Sequence, residues 1–294
     1  VSIQPSCLAH DTNICYHRAK FPTGARATVT LKLPNRLTGW LNGRLVKPNV
    51  TTEKIDSIYD RVRVEAAPSE NIIAGGWVDW AKVPEALFLN DDGTLNAMGV
   101  SKLDGGAGMN SGSVGAIESY LKWQQYLGEK AMLKVQGWTI SSTVVETSNS
   151  CEGLGKGLQG VVASNASAYS PGAPTFDKGS QTLDYRVAAP HFAPDGSTEN
   201  LGTYGLSMRA DLVQCLYGVK EVPAKAEISI TSVSTGQARV STVALYRNGN
   251  WVYLSADGFT FSAPTLKVKL IQPEPPKVEV ASAATNNATP EVKT

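Results

Sequence analysis

Residues 185–272 decide the fold, because six runs typical of β-strands follow one another there: YRVAAPHF (185–192), TYGLSMRAD (203–211), AEISITSV (226–233), ARVSTVALYR (238–247), NWVYLSA (250–256) and APTLKVKLIQ (263–272). β-Branched and aromatic residues concentrate inside the runs, whereas glycine, proline, asparagine and aspartate concentrate between them. Short strands separated by turn residues are typical of an antiparallel β-sandwich.

The N-terminal half carries the same period of two. In residues 27–33 the apolar side chains fall on one face, at Ala27, Val29, Leu31 and Leu33. Residues 39–45 predict a second strand that folds back on the first, and residues 62–65 and 72–80 predict two more strands. We therefore predict a mainly β protein built from antiparallel, sandwich-like sheets.

One packed α-helix is expected, over about residues 113–128. Ser113 can cap its N-terminus and Gly128 can end it, and a single stripe is traced by Val114, Ile117, Leu121 and Gln124. The helix is expected to lie across a sheet. Tyr120 and Trp123 add aromatic bulk to its sides, and on an exposed face they could instead contact a partner.

These patterns divide the chain into three regions. Residues 1–112 form an N-terminal β region, and residues 113–272 combine the helix with the C-terminal sandwich strands. Residues 273–294 contain no aromatic residue and no apolar period, so a disordered or extended tail is expected. The alternation of Val278 and Val280 would also suit a linker or a strand donated to a neighbour.

Composition and charge exclude two classes of partner. The chain has 294 residues, 42% hydrophobic and 18% charged, with a net charge of +1. Such a balance gives no overall attraction to nucleic acid or to an anionic membrane. No apolar run approaches the roughly 18 residues that a membrane-spanning helix requires. We expect neither a nucleic-acid partner nor a transmembrane segment.

Cysteine usage bears on the compartment. Of the three pairings that four cysteines allow, proximity favours Cys7 with Cys15 and Cys151 with Cys215. Four reduced, buried thiols are the alternative. Disulfides persist in oxidising compartments, and the chain begins at Val1 without an initiator methionine, as it would after removal of a signal peptide or as a piece cut from a longer chain. We therefore expect a secreted, extracellular protein.

Two segments resemble metal sites in part. Cys7, His10, Cys15 and His17 could ligate zinc by residue type, but their spacing departs from the usual finger, and a disulfide loop explains both cysteines. Residues 90–94, NDDGT, resemble half of a calcium loop but lack the spaced acidic positions before the glycine. We expect no metal and no cofactor.

No catalytic group stands out. His191 lies in a strand-like run and is expected to be a satisfied core or edge residue, and neither G-x-S-x-G nor H-E-x-x-H occurs. Carboxylate pairs for glycoside cleavage are defined by distance in space, and the candidates lie beside turn residues: Asp79, Asp91, Asp92, Asp195 and Glu199. We expect a protein that is not an enzyme, with a glycan hydrolase as the least favoured alternative.

Six tryptophans make carbohydrate binding the stronger alternative. Sugar-binding sandwiches stack pyranose faces on aromatic rings, although most large aromatics are expected to fill the core. Trp77 and Trp80 are three residues apart, so a regular strand would direct them to opposite faces. At least one is then expected outside the core. The candidate ligand or partner contacts are Trp77, Trp80, Trp123 and Tyr120.

Several segments together resemble an uncharacterised module of exported actinobacterial surface proteins. They are the Cys7/Cys15 segment with Phe21-Pro22-Thr23, GWLNGR (39–44), FAPDG (192–196), CLYG (215–218), AEISIT (226–231), DGFTFS (257–262) and TLKVKL (265–270). The resemblance covers roughly residues 7–272, and Asp257 stands where an aromatic residue is more usual. In that family the module often closes larger surface proteins. The resemblance implies export, disulfides and a surface role, and it supplies no catalytic residues.

These observations favour a secreted structural or interaction protein at the cell surface. Self-assembly into a layer, filament or appendage would use edge strands or the tail, because unpaired strand edges are templates for a further strand. The expected partners are further copies, neighbouring surface proteins or a polysaccharide. The region from Trp77 to Ser113 is the expected place of recognition.

Overall fold

The computed structural model of the chain describes residues 9–11, 14–16, 20–35, 38–75, 80–84, 116–144, 151, 157–170, 172–222, 225–231, 242–261 and 265–271. The strands are β1 (Ala9–Asp11), β2 (Ile14–Tyr16), β3 (Ala27–Pro34), β4 (Thr38–Lys54), β5 (Tyr59–Ile73), β6 (Leu133–Gly137), β7 (Thr139–Val144), β8 (Gly157–Ser164), β9 (Ala168–Tyr169), β10 (Thr175–Asp177), β11 (Thr182–Ala188), β12 (Leu201–Arg209), β13 (Lys225–Thr231), β14 (Thr242–Asn248), β15 (Trp251–Thr260) and β16 (Thr265–Ile271). The helices are α1 (Ala116–Leu127), α2 (Ala210–Tyr217) and a 3-10 turn at Trp80–Lys82.

The strands form two large sheets and one small hairpin. The larger sheet has nine strands, in the order β14-β15-β12-β8-β4-β5-β3, with β6 beside β5 and β7 beside β4. The second sheet is antiparallel, in the order β10-β11-β16-β13, with β9 beside β11, and β1 pairs with β2. All pairs are antiparallel except β4 with β8. The predicted mainly β, sandwich-like fold is confirmed.

The sheets stack as three β layers, with β8, β12 and β15 in the middle. All eight residues of β8 are buried, as expected for a strand that is covered on both faces. One face of the middle layer packs on the five-stranded sheet, through residues such as Leu206, Leu254, Tyr185 and Leu266. The other face packs on β3, β5 and the second half of β4, through residues such as Val161, Tyr253, Val62 and Val64.

Strand β4 makes the third layer possible because it bends between two sets of partners. Its first half, Gly39 to Arg44, pairs with β7, and Thr38 to Gly43 pair with β8. Its second half pairs with β5, and the register shifts between Val46 and Asn49. Lys47 has a φ of 50° at that shift, which is typical of a bulge. The bend carries the strand from the middle layer into the outer one.

The helices close two open parts of the core. Helix α1 packs on β9 and β11, with Ile117, Tyr120 and Trp123 buried. It ends as predicted, because Gly128 has a φ of 76° and donates its N–H to the Gln124 carbonyl at 2.8 Å. Helix α2 follows β12 directly and ends at Gly218, also in the left-handed conformation.

The predicted disulfide between Cys151 and Cys215 is present, with Cα atoms 5.8 Å apart. It links the segment before β8 to helix α2, so it joins the middle layer to the element that covers one end of the main core. Cys151 is 5% exposed. Closing a loop with a sequence separation of 64 removes roughly 4 kcal/mol of unfolded-state entropy on the chain-entropy model.

Three local predictions need correction, and one helix was not predicted. β3 does not pair with the strand that follows it, because β5 lies between β3 and β4. The strand predicted over residues 72–80 ends at Ile73, and Trp80 begins a 3-10 turn. The run 185–192 ends as a strand at Ala188, so His191 lies beyond it. Helix α2 was not predicted, although Gly218 after the mainly apolar run 212–217 is a helix stop signal.

The boundary drawn between regions 1–112 and 113–272 does not coincide with a gap between sheets. β4, from the first region, pairs with β7 and β8 from the second. The predicted tail, residues 273–294, lies outside the described residues.

Candidate interaction site

The candidate site is the outer edge of β3, which ends one side of the nine-stranded sheet. Among the described residues β3 pairs with β5 alone. The direction of its backbone groups follows from two contacts. Val50 in β4 turns its N–H and carbonyl away from β5, because both bond to the Tyr253 hydroxyl, at 3.1 and 3.0 Å. Asn35, just after β3, donates its N–H to the Ile58 carbonyl at 2.7 Å.

Hydrogen-bonding direction alternates along an antiparallel strand. The odd-numbered residues of β3 therefore face β5, and the backbone N–H and carbonyl groups of Thr28, Thr30 and Lys32 face outward. Such a row of outward-facing groups is a template for a further strand.

The apolar row of β3 is covered only in part. Its members are half-buried, at Ala27, Val29, Leu31 and Leu33. On β5, the residues of the same face are fully buried: Val62 is 1% exposed, and Val64 and Ala66 are 0% exposed. The difference arises because β5 has a neighbour on both sides and β3 has one. A strand added beside β3 would remove this remaining apolar surface from water.

The solvent face of the same layer carries a network of exposed charges. Arg26 donates to Glu65 at 2.8 Å, Arg63 to Glu65 at 2.8 Å, and Arg61 to Glu53 at 2.7 Å. The hydrogen bond from Arg26, helped by the charge of Arg63, lowers the pKa of Glu65. Each exposed pair contributes little to stability, because water screens it.

Lys32 is the charged residue of β3 itself. Its ammonium lies over the Tyr59 ring, 4.3 Å from the centroid, so it rests on the neighbouring strand β5. In many edge strands a lysine discourages further pairing. Here the side chain points to the solvent face and leaves the apolar row of β3 without a charge.

The opposite end of the sheet, β14, has a different edge. Val243 and Leu245 are half-buried against the main core, and Arg247 is the next residue on the same face. The Arg247 guanidinium donates to the Gly249 carbonyl at 2.9 Å. Any strand added beside β14 would have to cover this charge. Tyr246, which is 57% exposed, stacks on Tyr253 on the other face.

A third edge, β13, ends the five-stranded sheet. On its core-facing row Ile228 is 6% exposed and Ala226 is half-buried. Strands β6, β7 and β10 also have one described neighbour each. Among β3, β13 and β14, we select β3 as the candidate because outward backbone groups and an uninterrupted, partly exposed apolar row coincide there.

The structure places the predicted contact residues of α1 in the interior. Tyr120 is 1% exposed and Trp123 is 2% exposed, between the helix and the residues Ala74, Val83, Ala168 and Ala188. Burial raises the pKa of the Tyr120 hydroxyl well above its usual range. Both rings serve the packing of the helix on the sheet, and a partner could reach them only if the helix moved away.

Three of the six tryptophans are buried, one is half-buried, and the side chains of the other two are not among the described ones. Trp40, Trp123 and Trp251 are buried, and the Trp138 indole donates to the Ala66 carbonyl at 3.1 Å. Trp77 lies outside the described residues, and of Trp80 only the backbone is described. Because Trp80 begins a 3-10 turn, the alternation expected of a regular strand does not apply to it. A glycan-binding role for this pair remains a prediction.

The titratable candidates take structural roles where they are described. His191 Nδ1 lies 2.8 Å from the Phe261 carbonyl, as expected for a satisfied residue, and its Nε2 lies 3.9 Å from Glu199. Asp195 accepts hydrogen bonds from the Thr198 hydroxyl and from two backbone N–H groups, and these hold its pKa well below its usual range. This is a turn-forming aspartate. Asp79, Asp91 and Asp92 lie outside the described residues.

Two polar residues that the sequence did not single out lie deep in the core. Arg44 is 3% exposed and donates to the carbonyls of Ala166 and Ser167, at 3.2 and 2.7 Å. Asn42 exchanges hydrogen bonds with Gly172, at 2.8 and 3.0 Å. They attach the segments before and after β9 to β4. A buried polar side chain of this kind is retained because its bonds are made inside the protein.

The N-terminal cysteine segment is described only in its backbone. His10 pairs with Cys15 across the β1–β2 hairpin, while Cys7 and His17 lie outside the described residues. The Cys7–Cys15 disulfide thus remains a prediction. Within the described part of the chain, no group of three or more His, Cys, Asp or Glu residues could hold a metal ion. No described helix is both long and apolar enough to cross a membrane.

No protein-family model matches this chain, and no curated protein or solved structure is significantly similar to it. The resemblance to actinobacterial surface modules accordingly remains a prediction.

Proposed function

We propose that this chain is an exported structural or interaction protein of the cell surface that associates with itself through a sheet edge. The observation that carries the proposal is β3, an eight-residue edge strand with outward backbone groups and a half-buried apolar row. In a protein that acts alone, such an edge is usually shortened, covered or charged on its inner face.

Strand addition would satisfy both features at once. Each outward N–H and carbonyl of β3 would exchange a bond to water for a ladder bond, with a net gain of about 1 kcal/mol per bond. Each square ångström of apolar surface removed from water would add roughly 25 cal/mol. The two contributions act along the same line of residues, from Thr28 to Leu33.

Export is supported by the disulfide and by the low share of charged residues. The bond between Cys151 and Cys215 is buried and links two layers of the fold, as is common for disulfides that stabilise secreted domains. A charged share of 18% suits a surface protein rich in Gly, Ser, Thr and Asn. The location at a cell surface rests on the sequence resemblance.

Mass in solution as a function of concentration tests the proposal. Sedimentation velocity and light scattering from about 1 µM to about 1 mM cover the range in which a single-edge contact would bind. We expect the mean mass to rise reversibly with concentration, and electron microscopy of the concentrated sample to show defined particles. A monodisperse monomer across the whole range contradicts the proposal. Retention of that monomer on polysaccharide columns would favour carbohydrate binding instead.

A further inference from the structure

We infer that β3 pairs antiparallel with β3 of a second copy, about a two-fold axis that passes beside Thr30. The inference rests on the proposed self-association and names its contact. The joined layers would then read β4-β5-β3 in one copy and β3-β5-β4 in the other, as one continuous six-stranded sheet. A contact of this kind is isologous, so it closes at two copies.

The outward backbone groups fix the parity of the pairing. They belong to Thr28, Thr30 and Lys32, so hydrogen-bonded pairs form between even-numbered residues of the two copies. With the axis at Thr30, Thr30 faces Thr30 and Thr28 faces Lys32 of the second copy. Every outward N–H and carbonyl from Thr28 to Lys32 then has a partner.

The two neighbouring registers of the same parity are worse. Shifting the axis to Val29 places Lys32 opposite Arg26 of the second copy, and directly opposed like charges destabilise a strand pair. Shifting it to Leu31 places Pro34 opposite Thr28, and proline has no N–H to donate to the ladder. The register at Thr30 avoids both faults, because Pro34 then falls beyond the paired segment.

The apolar row is complementary to itself in this register. Val29 faces Leu31 of the second copy, and Ala27 faces Leu33. All four side chains are half-buried in one copy, and each gains an apolar neighbour on its exposed side. Directly opposed apolar pairs contribute roughly 0.2–1 kcal/mol each.

The solvent face adds no net charge attraction. Lys32 of one copy lies opposite Thr28 of the other, beside Glu65, which already accepts from Arg26 and Arg63 of its own copy. The pairing therefore rests on the ladder bonds and the apolar row, and two threonine hydroxyls meet at the axis.

The alternative occupant for this edge is β14 of another copy, which would build an open filament. Arg247 argues against it, because it follows Val243 and Leu245 on the core-facing side and would bring a charged guanidinium into the shared apolar seam. A self-paired β3 contains no charge in that seam.

Single-cysteine variants test the register. In Thr30→Cys the two new thiols would lie on residues whose Cα atoms are about 5.5 Å apart, within disulfide range. In Thr28→Cys they would be about 14 Å apart, because four residues separate the two positions along the seam. Under mild oxidation at a concentration where the wild type associates, we expect Thr30→Cys to form mostly covalent dimer and Thr28→Cys to form no more than the identically treated wild type.

A charge variant tests the same contact without cross-linking. Thr30→Lys places two ammonium groups opposite each other on the axis and should weaken association about fivefold. Thr51→Lys, on the same solvent face in β4, is the matched control and should leave association unchanged. If the wild type associates but Thr30→Cys does not cross-link, or Thr28→Cys cross-links equally well, the β3 contact is wrong and the proposed function stands. If the wild type never associates, both are wrong.

Discussion

β3 and β14 lie at opposite ends of the same nine-stranded sheet, and each directs a short apolar row toward a core. In β3 the row runs Ala27, Val29, Leu31, Leu33 without interruption. In β14 it runs Val243, Leu245 and then Arg247. A strand added beside β3 would bury no charge in this row, whereas a strand added beside β14 would have to desolvate a guanidinium.

At a strand edge, the position of a charge matters more than its presence. β3 also carries a cation, Lys32, but on the solvent face and drawn over Tyr59. Arg247 lies in the row that any added strand must cover. β3 and β14 each carry one cation, but only the cation of β14 opposes a further strand. A charge opposes strand addition where it would be buried.

Placing an arginine in the apolar row of β3, as Arg247 is placed in β14, should have the largest effect on self-association. Leu31→Arg repeats in β3 the arrangement of Arg247, so a self-paired edge would have to bury two guanidinium groups. We expect self-association to weaken at least about 100-fold, or about 2.8 kcal/mol, as measured by sedimentation velocity. Leu31→Met keeps the apolar row and should stay within about threefold of the wild type. An equal weakening of self-association in both variants would show that packing, and not charge, limits pairing at β3.

Removing one outward N–H should have the next largest effect. Thr30→Pro deletes a donor that β5 does not use, and proline is tolerated on the free side of an edge strand. Both copies lose a central ladder bond, so we expect association to weaken about tenfold. The melting temperature of the dilute protein should fall by only a few degrees. An unchanged association constant would contradict the assigned direction of the Thr30 backbone.

Removing Arg247 from β14 should have a smaller effect, which is an increase in assembly. In Arg247→Leu the apolar rows of β3 and β14, at opposite ends of one sheet, both lack a charge. Assembly would then no longer close at two copies. We expect light scattering to detect species larger than dimers at high concentration. Tyr246→Leu changes the other face of β14 and serves as the control. If Arg247→Leu has the same mass distribution as the wild type, the guanidinium does not protect this edge.

The smallest effect concerns pH at the β3 end of the sheet. Arg26 lowers the pKa of Glu65 below its ordinary value of 4.5, so the charged carboxylate favours the folded state. This stabilisation is present above pH 4.5 and is lost as the pH falls through the lower folded-state pKa. Urea unfolding should therefore show a shallower loss below pH 4.5 in Glu65→Gln than in the wild type. Parallel pH profiles of the two proteins would exclude this contribution.

The alternation in residues 27–33 was sufficient to predict β3 and its inner face. The alternation could not predict which strand pairs with β3. The choice of β5 over β4 depends on a bend at Lys47 and on contacts with β12 and β15, more than 150 residues away. Helix α2 was missed for a related reason. Its apolar residues suit a strand as well as a helix, and only the position of Gly218 distinguishes them.

The candidate site was even less accessible from the sequence. The sequence shows that Arg247 follows Val243 and Leu245 at a spacing of two residues. It does not show that β14 ends a sheet. The sequence places Tyr120 and Trp123 at the sides of a helix, where either could be exposed, and the structure buries both. Edge status is a property of topology, and aromatic residues alone do not reveal it.

The disulfide between Cys151 and Cys215 has a mechanical consequence for a chain that is held at a surface and pulled. The bond shields the intervening chain from tension, because force passes through the two sulfur atoms. With a sequence separation of 64, roughly 220 Å of contour length cannot be extended by force until the bond is reduced. The chain between Cys151 and Cys215 would thus limit the extension under load, and reduction of the bond would release it.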